Sequence, residues 1–555
     1  MSNFAPKGTA HATVVALAML LNAGFTSGHL FGDGIRFIEV DESTVRVGLP
    51  DLGQDVTLKA AGPHQNGIHQ GDDVFHGHSH GQTITIDRFD TSGTDRLFQR
   101  YALLDASSQG VGLGRYATRL AKLKTAGVNG DWPSSIKGLQ CVMDFEDAAQ
   151  LGAAHVTLNV SITALLRRSK SEGTQVPEAQ MPADWTFEVD GHQYLLDAKQ
   201  VHLLDKQVGA ATDRNMNTIA ILLCRPSRGR TQHPLVHPDA DVSSSEAKVA
   251  AVDTSSPEAL RQYRAVVGFL GRRYSRPDQK YGRIGGYIVG NEVQSHWYWH
   301  NMGRQPATDV IRQYSTQLRA TYYALRQQMR DPKIFVSLDH HWTSRHGKDP
   351  LKAMPGRQFI DALAKEIRSG GDLPWHVAWH PYPQDLFDPS FWDDHQATHS
   401  FDTAKITFKN IEVLPAYLER QELLYQGQSR RVILSEQGFH AGNDAQGEVL
   451  QAAAFAASFI RIAAIEGIDA YVLHRHVDHP REGGLKLGLR AYDSKAMGKK
   501  RHMHDVFQAA GTPRQEAAFR FALPLVGLDD WSGMLPRQVV ELPESSSSKD
   551  RFSKQ

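Results

Sequence analysis

From about residue 136 onward, short apolar runs alternate with longer segments of helical periodicity. This alternation constrains the fold more than any other feature of the chain. Eight runs read as strands: 155–160, 218–224, 248–252, 285–291, 333–338, 376–379, 431–434 and 468–473. Near-continuous apolar composition suits strands buried on both faces of a parallel sheet. The intervening segments carry helix signals. Ser256-Pro257-Glu258 supplies a cap, a proline at the first helical position and an acid in the first turn. Ile311, Tyr314, Leu318, Tyr322, Leu325 and Met329 recur three and four apart, which makes one apolar helix face. Residues 448–465 read as a long Ala-rich helix able to pack closely. Eight such units predict an α/β chain folded as a (β/α)8 TIM barrel, with a doubly wound open sheet as the alternative.

The flanks read differently. Between 28 and 135, strand-like runs at 35–40, 44–47, 56–58 and 83–87 are separated by Gly, Pro, Asp and Asn, which predicts an N-terminal β-rich accessory domain. The barrel domain is expected over 136–536, followed by a serine-rich, charged tail at 537–555 expected to be disordered. In residues 1–27, Lys7 precedes an apolar run from Thr13 to Leu21 and then small residues. That pattern reads either as a signal peptide, giving a secreted or periplasmic protein, or as an ordinary N-terminal helix. Asp190-Gly191, between Trp185 to Val189 and His192 to Leu196, predicts a hairpin inserted between the first two predicted strands.

No other run reaches the ~18 apolar residues of a membrane span. The Ala-rich stretch 452–473 is interrupted by Arg461, Glu466 and Asp469. Basic and acidic residues balance at 61 each, so no overall field favours nucleic acid or an anionic membrane. Cys141 and Cys224 lie in apolar surroundings and read as small hydrophobes rather than as a disulfide or metal pair.

Two of the predicted strands end in glutamate. Glu292 closes Gly285-Gly-Tyr-Ile-Val-Gly-Asn-Glu292, and Glu436 closes Arg431-Val-Ile-Leu-Ser-Glu436. In a parallel barrel the strand ends share one face, so the two carboxyls become candidates for cutting a glycosidic bond. That reaction needs one carboxyl protonated and one ionised. Either glutamate alone reads first as a salt-bridged structural residue; the pair at matched strand ends, with Trp-His-Pro-Tyr between, favours catalysis.

Gly290-Asn291-Glu292, Ala378-Trp-His-Pro-Tyr382 and Leu434-Ser-Glu-Gln-Gly438 together resemble the clan A retaining glycoside hydrolases. The chain looks closest to a bacterial branch of uncharacterised glycosidases catalogued as a domain of unknown function, over roughly 136–510. The resemblance implies Glu292 as general acid/base at the end of strand four and Glu436 as nucleophile at the end of strand seven. It further implies Asn291 on the sugar 2-hydroxyl, Tyr382 holding the nucleophile, His380 lining the site and Arg225 standing for an arginine near the nucleophile. The enzyme would be cofactor-free, with a carbohydrate as its partner and neither nucleic acid nor stable membrane insertion. The chain departs from the clan at Tyr471-Val-Leu-His-Arg-His476, where many members place a tryptophan, and this leaves the sugar open.

Trp297 and Trp299, with Tyr298, follow Glu292 and read equally as sugar-stacking platforms or as loop anchors. His341, beside Asp339, His340 and Trp342, and His474 end further strands, as substrate contacts or as satisfied barrel histidines. With Arg475, such histidines would favour an acidic or sulfated sugar. Two other readings compete. His340, His341, His380, His474 and His476 could be the ligands of a metal-dependent barrel hydrolase. Against this, the first predicted strand ends Leu158-Asn-Val160 without a His-x-His pair. Alternatively, the barrel could bind carbohydrate without cutting it. His64, His69, His76, His78 and His80, with Asp72 and Asp73, form a separate N-terminal cluster that reads as a solvated surface or a metal site.

Overall fold

The computed structural model describes residues 34–540, apart from 66, 106, 108–109, 168–182, 228–230 and 495–496. The candidate signal segment and all but the first residues of the expected tail lie outside the described residues. Seven strands come first among them: β1 (Phe37–Val40), β2 (Thr44–Gly48), β3 (Asp51–Ala61), β4 (Asp72–His80), β5 (Thr83–Asp87), β6 (Arg100–Asp105) and β7 (Gly110–Arg115). They form two antiparallel sheets, β1-β2-β5 and β4-β3-β6-β7. Alternation decides which face is buried: Val45 and Val47 of β2 point inward while Thr44 and Arg46 are half-buried. This layer is tied to the helix Ala307–Arg326. The Arg319 guanidinium lies over the Tyr116 ring, the Tyr323 hydroxyl donates to the Ala117 carbonyl, and Arg326 donates to the Leu120 carbonyl.

The barrel follows: β8 (Lys137–Gln140), β9 (His155–Ser161), then, after the hairpin β10 (Thr186–Val189) and β11 (His192–Leu195), β12 (Asn217–Leu223), β13 (Ile284–Val289), β14 (Ile334–Asp339), β15 (Trp375–His380), β16 (Val432–Gln437) and β17 (Ile468–Leu473). The eight barrel strands are parallel and close into a ring through β17 and β8. Closure excludes the open doubly wound sheet.

Two barrel-strand assignments differ from expectation, and the N-terminal sheets gain β4, β6 and β7, which the sequence did not mark. Residues 248–252 are not a barrel strand: Ala250 and Val252 make only isolated bridges, to Cys224, Asn301 and Val236. The run is apolar because Val249 joins the apolar cluster inside the barrel, not because a sheet neighbour flanks it. The strand missing from the expected set is β8. Its four residues, Lys137-Gly-Leu-Gln140, include a single large apolar side chain, too little to register as a hydrophobic run. The two differences offset each other, so Glu292 still follows the fourth barrel strand and Glu436 still lies in the seventh. The hairpin therefore falls between the second and third barrel strands.

The helices match their signals, except that Ala307–Arg326 ends before Met329, which makes an isolated bridge to Gly127. The Ser256 hydroxyl accepts from the Ala259 amide at the start of Pro257–Tyr274. In the Ala-rich helix Ala445–Ala463, Arg461 is buried in an ion pair with Glu412. Among the described residues no helix is long and apolar enough to cross a membrane.

Period-two alternation sorts the barrel side chains into two apolar clusters. Ile219, Ile221, Leu223, Ile288, Phe335, Ala378, Ile433, Ala470 and Val472 fill the interior. Trp132 contributes to this interior near the N-terminal strand ends, where its ring meets His155 and Phe335 and its N–H donates to the Asp469 carbonyl. The intervening residues face the helices. The interior has no slack. A Cβ on Gly138 would come within 2.8 Å of a Val472 methyl carbon, and one on Gly286 within 3.0 Å of the Phe335 ring. Removing three interior carbons should therefore leave a cavity the barrel cannot refill. Ile433→Ala is expected to lower the unfolding free energy by about 2–5 kcal/mol. Urea unfolding checks this, and a loss below about 1 kcal/mol would mean the interior relaxes freely.

Candidate active site

Above the apolar layer, the inward-facing positions at the C-terminal strand ends turn polar: Gln140 on β8, Asp339 on β14, His380 on β15, Ser435 on β16 and His474 just past β17. The two glutamates enter this ring by local departures from regular strand geometry. β13 ends at Val289, and the chain then turns through Gly290 (φ +80°) into Glu292, itself left-handed at φ 41°, ψ 52°. A Cβ on Gly290 would approach His300 Nδ1 to 2.8 Å, so position 290 admits little else. A non-glycine residue in that region costs on the order of 1–3 kcal/mol and persists only when its surroundings hold it. Here the Glu292 amide donates to Ser337 Oγ at 3.0 Å.

On β16 the register against β17 shifts between Leu434 and Gln437, which pair with Tyr471 and Leu473. This bulge gives β16 one extra residue. Strict alternation from Ile433 would turn Ser435 inward and Glu436 outward; the extra residue lets both face the cleft.

The result is a tight constellation. Glu292, His380 and Glu436 form a trio whose nitrogen and oxygen ligand atoms all lie within 4.8 Å of one another. His380 Nδ1 is 2.8 Å from Glu292 Oε1, and its Nε2 meets Ser435 Oγ at 3.0 Å and Ser337 Oγ at 3.4 Å. Glu436 accepts from the Tyr382 hydroxyl on one oxygen and from Gln140 Nε2 on the other, both at 3.3 Å. Behind Gln140 stands His474, with Nδ1 2.7 Å from Gln140 Oε1.

These partners treat the two carboxyls differently. Burial, the largest influence, raises the Glu292 carboxyl above the usual carboxylate range. His380 pulls it back in part, and Asp339 and Glu436 push it further up. Burial acts on Glu436 as well, but the charges of His474 and His380 and the Gln140 hydrogen bond outweigh it and hold that carboxyl below its ordinary value. Two carboxyls whose environments separate their proton affinities are the pattern expected of an acid and a nucleophile. Burial lowers His380, yet Glu292, Glu436 and Asp339 together raise it above a free histidine.

Among the other residues singled out from the sequence, Asn291 is half-buried beside Glu292. His341 bonds Asp339 at 2.8 Å, and His340 bonds the Tyr382 carbonyl at 2.9 Å. His476 bonds Asp147 at 2.8 Å. Of the five histidines considered as metal ligands, only His380 belongs to the trio. Trp297 is buried, with Lys352 Nζ 3.5 Å from its ring centroid, so it sits as a loop anchor. Trp299 is half-buried beneath Lys248 Nζ at 5.2 Å. Arg225 is exposed, its backbone bonded to the Thr163 hydroxyl. Arg475 is ion-paired with Glu482 at 2.6 Å, so its charge is already balanced.

In the N-terminal cluster, His76 pairs with Thr57 and His78 with Asp55. Among the described residues no trio of possible metal ligands forms there. The sequence reading passed over Gln140, Ser337, Ser435 and Glu482. Gln140 ends the strand too short to detect. Glu482 sits in a loop after β17 with no pattern around it.

Comparison with known proteins gives the following. The model of a family described as a family of unknown function (DUF5722) matches residues 129–534. A search of curated proteins found no match. Among solved structures, a family 39 glycoside hydrolase from the gut symbiont Bacteroides cellulosilyticus WH2 is similar at 12% identity and TM-score 0.43, over 86% of this chain and 83% of that one. Fpglu1 from Fervidobacterium pennivoraus is similar at 11% identity and TM-score 0.44, over 71% of this chain and 86% of that one. The exo-β-1,4-mannosidase Op5Man5 from Opitutaceae bacterium strain TAV5 is similar at 15% identity and TM-score 0.38, over 78% and 63%.

The electrostatics of the trio can be tested without a substrate. A positive His380 favours the ionised form of Glu292, so removing that charge leaves burial less opposed. In His380→Gln, the Glu292 carboxyl should titrate at higher pH than in the unaltered protein, read by 13C NMR of labelled glutamate. An unchanged or lower midpoint would mean that His380 does not govern it.

Proposed function

The chain belongs to the DUF5722 family, whose function is unknown, and we propose that it is a retaining glycoside hydrolase acting on an oligo- or polysaccharide. One observation carries the reading: a Glu292 oxygen and a Glu436 oxygen lie within 4.8 Å of each other where the barrel strands end. Retaining glycosidases hold their carboxyls about 5–5.5 Å apart, whereas inverting ones need about 6.5–9.5 Å to admit a water.

In the first step a Glu436 oxygen attacks the anomeric carbon. The glycosidic C–O bond breaks, and Glu292 gives its proton to the departing oxygen. In the second step Glu292, now ionised, takes a proton from water as that water attacks the anomeric carbon and releases Glu436. The raised Glu292 and lowered Glu436 support this division of roles. The Tyr382 and Gln140 hydrogen bonds support Glu436 as nucleophile, because they fix both of its oxygens. His380 would follow Glu292 through the cycle, its Nδ1 bonded to the group that gains and loses the proton. Activity should rise with pH as Glu436 ionises and fall as Glu292 loses its proton.

A glycoside screen followed by 1H NMR of the first product formed tests the reading, and the product should keep the anomeric configuration of the substrate. Glu292→Gln should lower turnover by about 10²–10⁴-fold on substrates with poor leaving groups. Glu436→Gln should abolish it by at least as much, with the fold retained by circular dichroism. Inverted product, or near-normal turnover in either variant, would sink the assignment. A chelator should leave activity unchanged; loss restored by zinc would favour the metal-dependent alternative.

A further inference from the structure

We propose that His474 is held as an imidazolium by acceptors on both ring nitrogens, and that it acts as the positioning residue that keeps Glu436 ionised. The part of this proposal that concerns catalysis rests on the glycosidase reading; the charge state does not.

The protonation follows from one hydrogen bond and one ion-pair contact of the ring. His474 Nδ1 lies 2.7 Å from Gln140 Oε1. The other end of the same amide, Gln140 Nε2, donates to Glu436 Oε2. An ionised carboxylate only accepts, which fixes the amide with its nitrogen toward Glu436 and its oxygen toward His474. On the opposite side of the ring, His474 Nε2 faces Glu482 Oε2 at 3.5 Å. Glu482 is in turn bound by Arg475 at 2.6 Å, a contact that keeps it ionised. The oxygen that faces each ring nitrogen is therefore an acceptor. A neutral ring has one N–H and would set its lone pair against one of these oxygens, with only the Cys141 thiol, a weak donor, to meet it; the doubly protonated ring satisfies both oxygens. His474 is buried, so water does not readily supply the missing donor.

The groups that face this ring come from several elements: Gln140 and Cys141 at the end of the first barrel strand, Glu436 on β16, and Glu482 in the loop after β17. Burial disfavours the charge on His474, but Cys141, Glu436 and Glu482 outweigh it and push the imidazole up to about 10. The charge is thus present through the neutral range and lost only as the pH rises through that value. Glu482 is held down to about 2, chiefly by its hydrogen bond to His474. The chain His474–Gln140–Glu436 lets a buried cation act on the nucleophile without an ion pair that would compete with attack on the sugar. Glu482 holds the cation from behind.

The test uses the full chain labelled with 15N-histidine, with the His474 resonances assigned by their loss in His474→Asn. In the unaltered protein both ring nitrogens should keep imidazolium shifts from pH 5 to pH 9. Glu482→Gln should bring the His474 midpoint down by at least one pH unit. A neutral ring at pH 7.5 in the unaltered protein would overturn the proposal.

The second arm reads Glu436. In His474→Asn the acidic limb of kcat/KM should move to higher pH by about one unit, with a smaller shift in Glu482→Gln. A purely structural role would lower kcat at every pH and leave the limb in place, and that result would also overturn the proposal. If no glycoside is turned over, the Glu436 carboxyl is titrated directly by 13C NMR. The glycosidase reading and the charge assignment then stand or fall separately.

Discussion

Closure of the parallel sheet is the constraint on which the rest of the structure depends. Once β17 pairs with β8, every strand has two hydrogen-bonded neighbours and one face directed into a space only a few side chains wide. Alternation then leaves no choice. Residues of one parity fill the interior, and the next inward position at the C-terminal end of several strands emerges in the same small cleft. Gln140, Asp339, His380, Ser435 and His474 belong to distant parts of the chain and meet for this reason alone. The apolar plug of Ile219, Ile288, Phe335 and Ile433 beneath them is as much a part of the site as the polar ring, because it sets the low dielectric in which those groups interact.

Within that cleft, regular geometry is broken where carboxylates are delivered. Glu292 takes a left-handed backbone stabilised by a bond to Ser337, and Glu436 is turned inward by a bulge beside Ser435. The same two serine hydroxyls both meet His380 Nε2. One histidine thus shares its anchors with the turns that position both carboxyls, so a shift in any of the three is felt by the others. Local rules of strand geometry give way here and hold elsewhere in the barrel, as expected where surroundings have been arranged to support an unfavourable conformation.

Burial acts on both glutamates in the same direction, and their neighbours separate them. Around Glu292 the favourable contact with His380 is opposed by the negative charges of Asp339 and Glu436. Around Glu436 two histidines and an amide act together. The asymmetry is created by residues from five barrel strand ends: Gln140, Asp339, His380, Glu436 and His474.

The barrel, its N-terminal β-rich neighbour and the two glutamates were legible in the chain because hydrophobic periodicity is a local property. A run such as 431–434 announces a buried strand whatever surrounds it, and the residue that follows it must lie at one end of the sheet. The sequence also determined the caps and helices, through Ser256-Pro257 and the apolar face from Ile311 to Leu325. The tertiary structure alone decided what no local window contains. It left 248–252 outside the sheet, with isolated bridges and Val249 in the interior cluster, and recruited the weakly apolar Lys137–Gln140 as the strand that closes the ring. It covered Trp297 with Lys352, and placed Glu482 behind His474 and Gln140 between His474 and Glu436. The two Gln140 pairings join residues 296 and 334 positions apart, and the energies of all these contacts depend on distance and burial in space, which only the closed barrel sets.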